Sequence, residues 1–264
     1  MKQFTDQLGT THTFENTPKR IVSLVPSQTE LLFDLGLEEN IIGITKFCVH
    51  PTHLRSEKAM VGGTKNIKFD KIKALQPDII ICNKEENTKE IVAQLSQICP
   101  VWVTNIVSVE DNLQMITDFG NIFNCQDIAQ TWIQKLTDAL AHFNKFISDK
   151  SQIKTTYFIW KNPYMVAGNA TFINELLQLN RFENIMQTKK RYPEIEDTDM
   201  VLLQKSSLIL LSSEPYPFIE QDVQEISLVF PNAKIILVDG EMFSWHGSRL
   251  LKALNYFIDL RNKI

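Results

Sequence analysis

Short, almost wholly apolar runs alternate with amphipathic stretches along most of the chain. The runs RIVSLV (20–25), NIIGIT (40–45), DIIIC (78–82) and PVWVTN (100–105) are buried-strand patterns. They lack the inside–outside alternation of a strand with one wet face, so they suit a parallel sheet covered on both sides. Between them, SQTELLFDLG (27–36), FDKIKALQP (69–77) and NTKEIVAQLSQI (87–98) have helical spacing. Ser27 with Glu30 three residues on is a capping-box pattern, Gly36 is a natural helix stop, and Asn87 is a candidate cap. Strand and helix in regular succession predict an α/β fold.

Residues 126–150 break the rhythm. Ala129, Trp132, Ile133, Leu136, Leu140, Phe143 and Ile147 recur at steps of three and four. They predict one amphipathic helix of more than twenty residues, roughly 30 Å long. A helix of that length in mid-chain suits a bridge between two bodies. After it the pattern restarts with TTYFIW (155–160). Leu35-Gly36-Leu37-Glu38-Glu39-Asn40-Ile41 lines up with Leu179-Asn180-Arg181-Phe182-Glu183-Asn184-Ile185 at a constant offset of 144. IKALQPDIIICNKEE (72–86) resembles MVLLQKSSLILLSSEP (200–215), and CPVWVTNIVSVED (99–111) resembles NAKIILVDGEMFS (232–244), in the same order. The expectation is two copies of one Rossmann-like lobe with parallel sheets: residues 1–125, a backbone helix at 126–150, and residues 151–264. A ligand cleft is expected between the lobes, lined by loops at the carboxyl ends of the strands. A single helical connector also predicts a largely preformed site.

The length of 264 residues itself allows about two domains. With 27 basic against 31 acidic residues, the formal net charge is −4, so no basic surface points to nucleic acid. Residues 1–20 hold no continuous apolar stretch and include Asp6 and Glu15. As written, they lack the apolar core of a secretory signal, which favours a cytoplasmic chain. Four scattered cysteines make no disulfide framework.

No catalytic motif is present, and VGGTKN (61–66) reads as a turn. Four clusters remain. KFCVHPTHLR (46–55) places Cys48, His50 and His53 after a strand, where thiolate and imidazole could meet a metal or line a cleft. GEMFSWHGSRL (240–250) follows the last strand. Trp245 there is expected to stack on a ligand, His246 to be a possible ligand of a metal or cofactor, and Arg249 to form a structural ion pair. Trp160, Tyr164, Tyr192 and Tyr216 put flat aromatics at strand ends of the second lobe, suited to a large planar ligand. NKEENTKE (83–90) and SSEPYPFIEQ (212–221) put carboxylates, Glu85, Glu86, Glu90, Glu214 and Glu220, at equivalent places, as docking knobs or simply as helix-dipole partners.

Together, RIVSLVPSQTELLFDLG, LQPDIIICNKEEN, PVWVTN, RYPEIE and GEMFSWHGSRL resemble the class III substrate-binding proteins of ABC importers, the helical-backbone metal receptors, over about residues 18–260. The resemblance implies two lobes on one backbone helix, no enzymatic activity and no intrinsic cofactor. It also implies a metal-chelate ligand, corrinoid (cobalamin) first and ferric siderophore or heme next. By motif position Tyr192 matches a corrin-facing aromatic, and SWHGSRL the last cleft loop. Trp245 and Tyr192 are then expected on one side of the ligand, with Cys48 and His50 opposite. An ABC permease would engage one acidic residue per lobe, Glu86 or Glu90 and Glu194 or Glu196. The chain is expected to be a monomer. The family role calls for a periplasmic or cell-surface location, with the true start then lying upstream. The alternative is a chelatase-like enzyme of metal or tetrapyrrole handling, with His50 or His246 as ligand or base.

Overall fold

The computed structural model describes all residues, 1–264. Two strands, β1 (Lys2–Thr5) and β2 (Thr11–Phe14), open the chain as an antiparallel hairpin that the sequence pattern did not announce. Asp6 in its turn accepts from the main-chain N–H of Leu8 at 3.0 Å and of Thr10 at 2.8 Å. Its second oxygen accepts from the N–H of Val103 at 3.2 Å, which fastens the hairpin to the sheet behind it.

That sheet holds β3 (Ile21–Ser23), β4 (Ile41–Ile44), β5 (Ala59–Met60), β6 (Ile79–Asn83) and β7 (Val101–Thr104). Their order is β5-β4-β3-β6-β7, every pair parallel. A second sheet holds β8 (Ile153–Trp160), β10 (Phe182–Asn184), β11 (Leu208–Ser212) and β12 (Lys234–Val238) in the order β10-β8-β11-β12, also parallel, with β9 (Met165–Val166) antiparallel on β8. Without β5, the two orders are the same: second, first, third, fourth. The middle strands β6 and β11 are buried at every residue, which is why they read as unbroken apolar runs. The first core gathers Val22, Leu24, Ile72, Ile80, Leu95 and Val103; the second gathers Phe158, Val166, Ile209, Leu211, Ile226 and Phe230.

The residue-by-residue match at offset 144 does not survive in space. In the first sheet's unit the helix Pro26–Asp34 ends at Leu35 and turns through Gly36 at φ 78°; in the second the helix Phe172–Leu179 ends at Asn180 and turns through Arg181 at φ 57°. The helix ends are therefore 145 apart. An additional 3-10 turn, Glu38–Asn40, then precedes β4, whereas β10 starts at once. Glu39-Asn40 lie in that turn, while Glu183-Asn184 lie within a strand. What repeats is the strand order.

The long helix runs Gln126–Ile147, 22 residues, with Ala129, Leu136, Phe143 and Ile147 buried. The chain divides into two compact units: residues 1–106, 110–137 and 246–250, and residues 107–109, 138–245 and 251–264. Compared with the expected division at 1–125, 126–150 and 151–264, the long helix is shared between the units and residues 246–250 return to the first. The chain also has a helix the sequence pattern left unread, Val109–Phe123. No helix is long and apolar enough to cross a membrane.

Candidate functional site

In each unit the candidate residues lie beyond the carboxyl ends of the parallel strands, the edge where open α/β sheets bind ligands. At the first sheet the part of the edge that follows β3 is closed. The helix after β3 starts at Pro26 with Val25 as its N-cap and no side-chain cap bond, so Ser27 does not cap it. Proline fits that first turn because it has no N–H to leave unpaired. Ser27 and Glu30 turn instead to the segment 246–250. Ser27 Oγ and His246 Nδ1 are hydrogen-bonded at 3.1 Å, and Arg249 Nε donates to Glu30 Oε2 at 2.7 Å. Arg249 is thus the structural ion pair expected of it. Ser248 Oγ donates to Asp34, and Asn112 Nδ2 donates to the carbonyl of Gly247 at 3.2 Å. Gly247 sits at φ 84°, and a Cβ there would lie 3.1 Å from Leu31, so glycine is needed twice over.

Two expectations change in this unit. His246 is 7 % exposed and packed inside the unit, and burial holds its imidazole down at about 3. It is a neutral core histidine rather than a side chain presented at a surface. Cys48, after β4, has no exposed surface; Thr29 Oγ1 lies 3.1 Å and Thr45 Oγ1 3.3 Å from its sulfur. Burial raises this thiol, more than the two threonine hydroxyls lower it, so it is a poor thiolate donor. His50 on the same loop is half-buried. Next to it Phe47 is 48 % exposed, with Lys46 Nζ 4.8 Å above its ring. Sequence reasoning passed over Phe47; its signal was an aromatic two residues past NIIGIT.

The edge of the second sheet is aromatic and open. Trp160 ends β8 and is 39 % exposed; Tyr216, after β11, meets it edge-on at 5.9 Å between centroids. Tyr216 packs on Phe218 at 4.8 Å, and Tyr164 on Phe158 at 5.7 Å. The buried phenylalanines fix the tyrosines from behind. Lys161 does not add a free charge, because its Nζ lies 2.6 Å from both Asp222 and Glu225. Tyr192 is half-buried on the loop beyond β10. Trp245 departs from expectation: it is 7 % exposed, and its Nε1 donates to Glu214 Oε1 at 2.9 Å. Little of its ring is left to stack on a ligand. Ser244 Oγ donates to the same oxygen at 2.6 Å, so Glu214 is an internal anchor and not a docking knob. Gly240 makes room for this cluster, since a Cβ there would lie 2.5 Å from Glu214 Cγ.

The acidic candidates divide by exposure. Glu86 is half-buried, and burial, helped by Glu85, pushes its carboxyl up against the opposing effects of Lys65 and Thr64. Glu90 is exposed on the first turn of the helix Lys89–Leu95, and its own main-chain N–H and the Thr88 hydroxyl hold it below the ordinary glutamate value. The cap of that helix is Thr88 and not Asn87, whose side chain instead accepts from the N–H of Asn83 and donates to the carbonyl of Thr64, both at 2.9 Å. Glu194 and Glu196 are exposed, with Lys189 Nζ 4.0 Å from Glu196.

The exposed ring of Trp160, backed by Tyr216 and Phe218, can meet a flat ligand by its face. The model of a family described as periplasmic binding protein matches residues 21–214. The ABC transporter substrate-binding lipoprotein YvrC of Bacillus subtilis is 22 % identical over 92 % of this chain and 79 % of its own. The structure of the periplasmic vitamin B12 binding protein of Vibrio cholerae superposes with a TM-score of 0.78, at 18 % identity, over 94 % of this chain and 99 % of that one. A periplasmic heme binding protein from Pseudomonas aeruginosa gives a TM-score of 0.79, at 18 % identity, over 92 % of both. The chelatase-like alternative falls with these results: the chain belongs to the periplasmic binding protein family and is a binding protein, not an enzyme.

Proposed function

We propose that the chain binds a metal chelate and delivers it to an ABC permease, with a corrinoid the first choice and a ferric siderophore or heme next. The observation that carries this reading is the aromatic edge of β8 and β11, where exposed Trp160 and half-buried Tyr164 and Tyr216 stand on a buried aromatic base. Such faces gain from covering a flat, largely apolar ring system, and they select for shape more than for charge. Tyr192 completes the proposed ligand contacts on this unit. Cys48, Trp245 and His246 support the loops from behind. The relatives that share the fold are named for vitamin B12 and heme, which is consistent with this class of ligand. Glu90 in the first unit and Glu194 in the second are exposed carboxylates that we propose meet arginines of a permease. The uptake role would place the chain on the outer side of the cytoplasmic membrane, as a monomer.

The test is tryptophan fluorescence. Cobinamide, hemin and a ferric siderophore are titrated at micromolar concentration; at least one should quench, and Trp160→Ala should lose both quenching and affinity. If all three leave the wild type unchanged, the metal-chelate reading fails.

A further inference from the structure

Glu38, His53 and Glu57 flank the strand β4 and take no part in the proposed ligand contacts. Glu38 opens the 3-10 turn Glu38–Asn40, and His53 precedes the helix Leu54–Glu57. Residues 53 and 57 are four apart, so their side chains leave the same side of one helical turn. His53 Nε2 is 2.5 Å from Glu38 Oε1, and one ligand atom from each of the three residues falls within 4.8 Å of the others. The imidazole is also held edge-on by Phe33, 5.7 Å between centroids at 70°. Lys58 Nζ donates to the main-chain carbonyl of Glu38 at 2.8 Å, which fixes the backbone beneath the carboxylate.

We infer that Glu38, His53 and Glu57 form a surface site for a divalent transition-metal ion of the zinc type. One imidazole nitrogen and two carboxylates are the mixed N,O donor set such ions take, and the two negative charges balance the ion. Bonds of about 2.0–2.2 Å in a tetrahedral site put the donors about 3.4 Å apart, so the ion replaces the His53–Glu38 hydrogen bond and spreads that pair slightly, while Glu57 moves in. Glu57 is exposed, so a change of its rotamer closes the remaining gap without moving the backbone. The fourth position falls to water. The ion then ties the turn before β4 to the helix beyond it and staples the intervening loop, which carries Phe47, Cys48 and His50. The site is independent of the ligand reading and stands or falls without it.

The experiment is a calorimetric titration of chelator-treated protein with zinc chloride, repeated with cobalt(II), whose visible absorption reports donor geometry. His53→Gln and Glu57→Gln are compared with His142→Gln, a change at an exposed histidine on the long helix. The wild type and His142→Gln should show the same saturable site. The other two should each bind about tenfold more weakly or worse, and lose the cobalt band. All these positions are accessible to solvent, and circular dichroism checks that each variant folds. The inference is overturned if the wild type takes up no zinc, if His53→Gln titrates like the wild type, or if His142→Gln is the variant that loses the site.

Discussion

The carboxyl edges of the two sheets began from the same strand order and ended as different materials. At the first sheet the helix after β3 meets the segment 246–250 through Ser27, Glu30 and Asp34, and the polar groups are consumed by one another. At the second sheet the corresponding loops offer Trp160 and Tyr216 to solvent. A shared backbone plan thus says where a site can be, and the loops decide whether that place is filled by the protein's own side chains or left for a ligand. Three experiments separate the closed edge from the open one, and a fourth compares the helices behind them.

The largest effect belongs to the closed edge. Arg249 and Glu30 are 4 % and 7 % exposed at the side chain, so removing one partner strands the other's charge away from water. Arg249→Ala should cost about 3–5 kcal/mol in urea unfolding. The paired change Glu30→Leu with Arg249→Met should recover most of that, because a buried ion pair repays its desolvation only in part. A loss for Arg249→Ala below about 1 kcal/mol would mean that water screens the pair as it does at a surface.

Next, the two tryptophans of the second unit should respond in opposite currencies. Trp160→Ala should weaken ligand binding by about 2 kcal/mol, the scale of an aromatic anchor, and barely move the unfolding midpoint. Trp245→Phe keeps most of the ring but gives up the bond to Glu214; a hydrogen bond to a charged group is worth about 1.5–3 kcal/mol of stability. Ligand affinity should change less there than stability does. If Trp245→Phe abolished quenching while leaving stability intact, the open edge would have been placed on the wrong residue.

The third test uses pH. Burial holds His246 down at about 3, whereas an unfolded histidine titrates near 6.5. Between those values the unfolded chain binds a proton that the folded chain refuses. Folding is therefore fully supported above pH 6.5 and loses up to about 1.4 kcal/mol for each unit of acidification below it. His246→Gln should flatten this slope in urea midpoints measured from pH 7 to pH 5. A wild type and variant with parallel slopes would show that the imidazole reaches water.

Much of this architecture could be read directly from the residues. The unbroken run DIIIC read as a buried strand of a parallel sheet, and the three- and four-residue spacing from Ala129 to Ile147 as one long helix, and both are found. Tyr164 and Tyr216 were legible for a similar reason: an aromatic just past a strand lies at the sheet's edge. Burial at the same edge was not legible. Trp245 and His246 are neighbours that both drew a ligand role, yet each is absorbed by a partner remote in sequence, Glu214 and Ser27. The capping-box spacing of Ser27 and Glu30 misled because the cap is Val25, two residues before Ser27, which releases both side chains for tertiary bonds. The hairpin at residues 2–14 depends on Asp6 reaching Val103, a contact that no local pattern encodes.

The smallest effect compares two helix caps. Thr88 Oγ1 accepts from the N–H of Ile91 at 3.3 Å, and Thr171 Oγ1 accepts from the N–H of Asn174 at 3.1 Å, so each satisfies one otherwise unpaired donor of its helix. Their surroundings differ. Thr88 is exposed, and water can replace its hydroxyl. Thr171 is 1 % exposed and also donates to the carbonyl of Gly168 at 3.0 Å, so its loss leaves two buried groups without a partner. Thr88→Ala should therefore cost about 0.5 kcal/mol and Thr171→Ala about 2 kcal/mol, the two ends of the range for cap removal. Thr171→Ser should restore most of the larger loss, because it returns the oxygen and forfeits only a methyl group. Equal losses at the two caps in urea unfolding would show that burial does not set their strength.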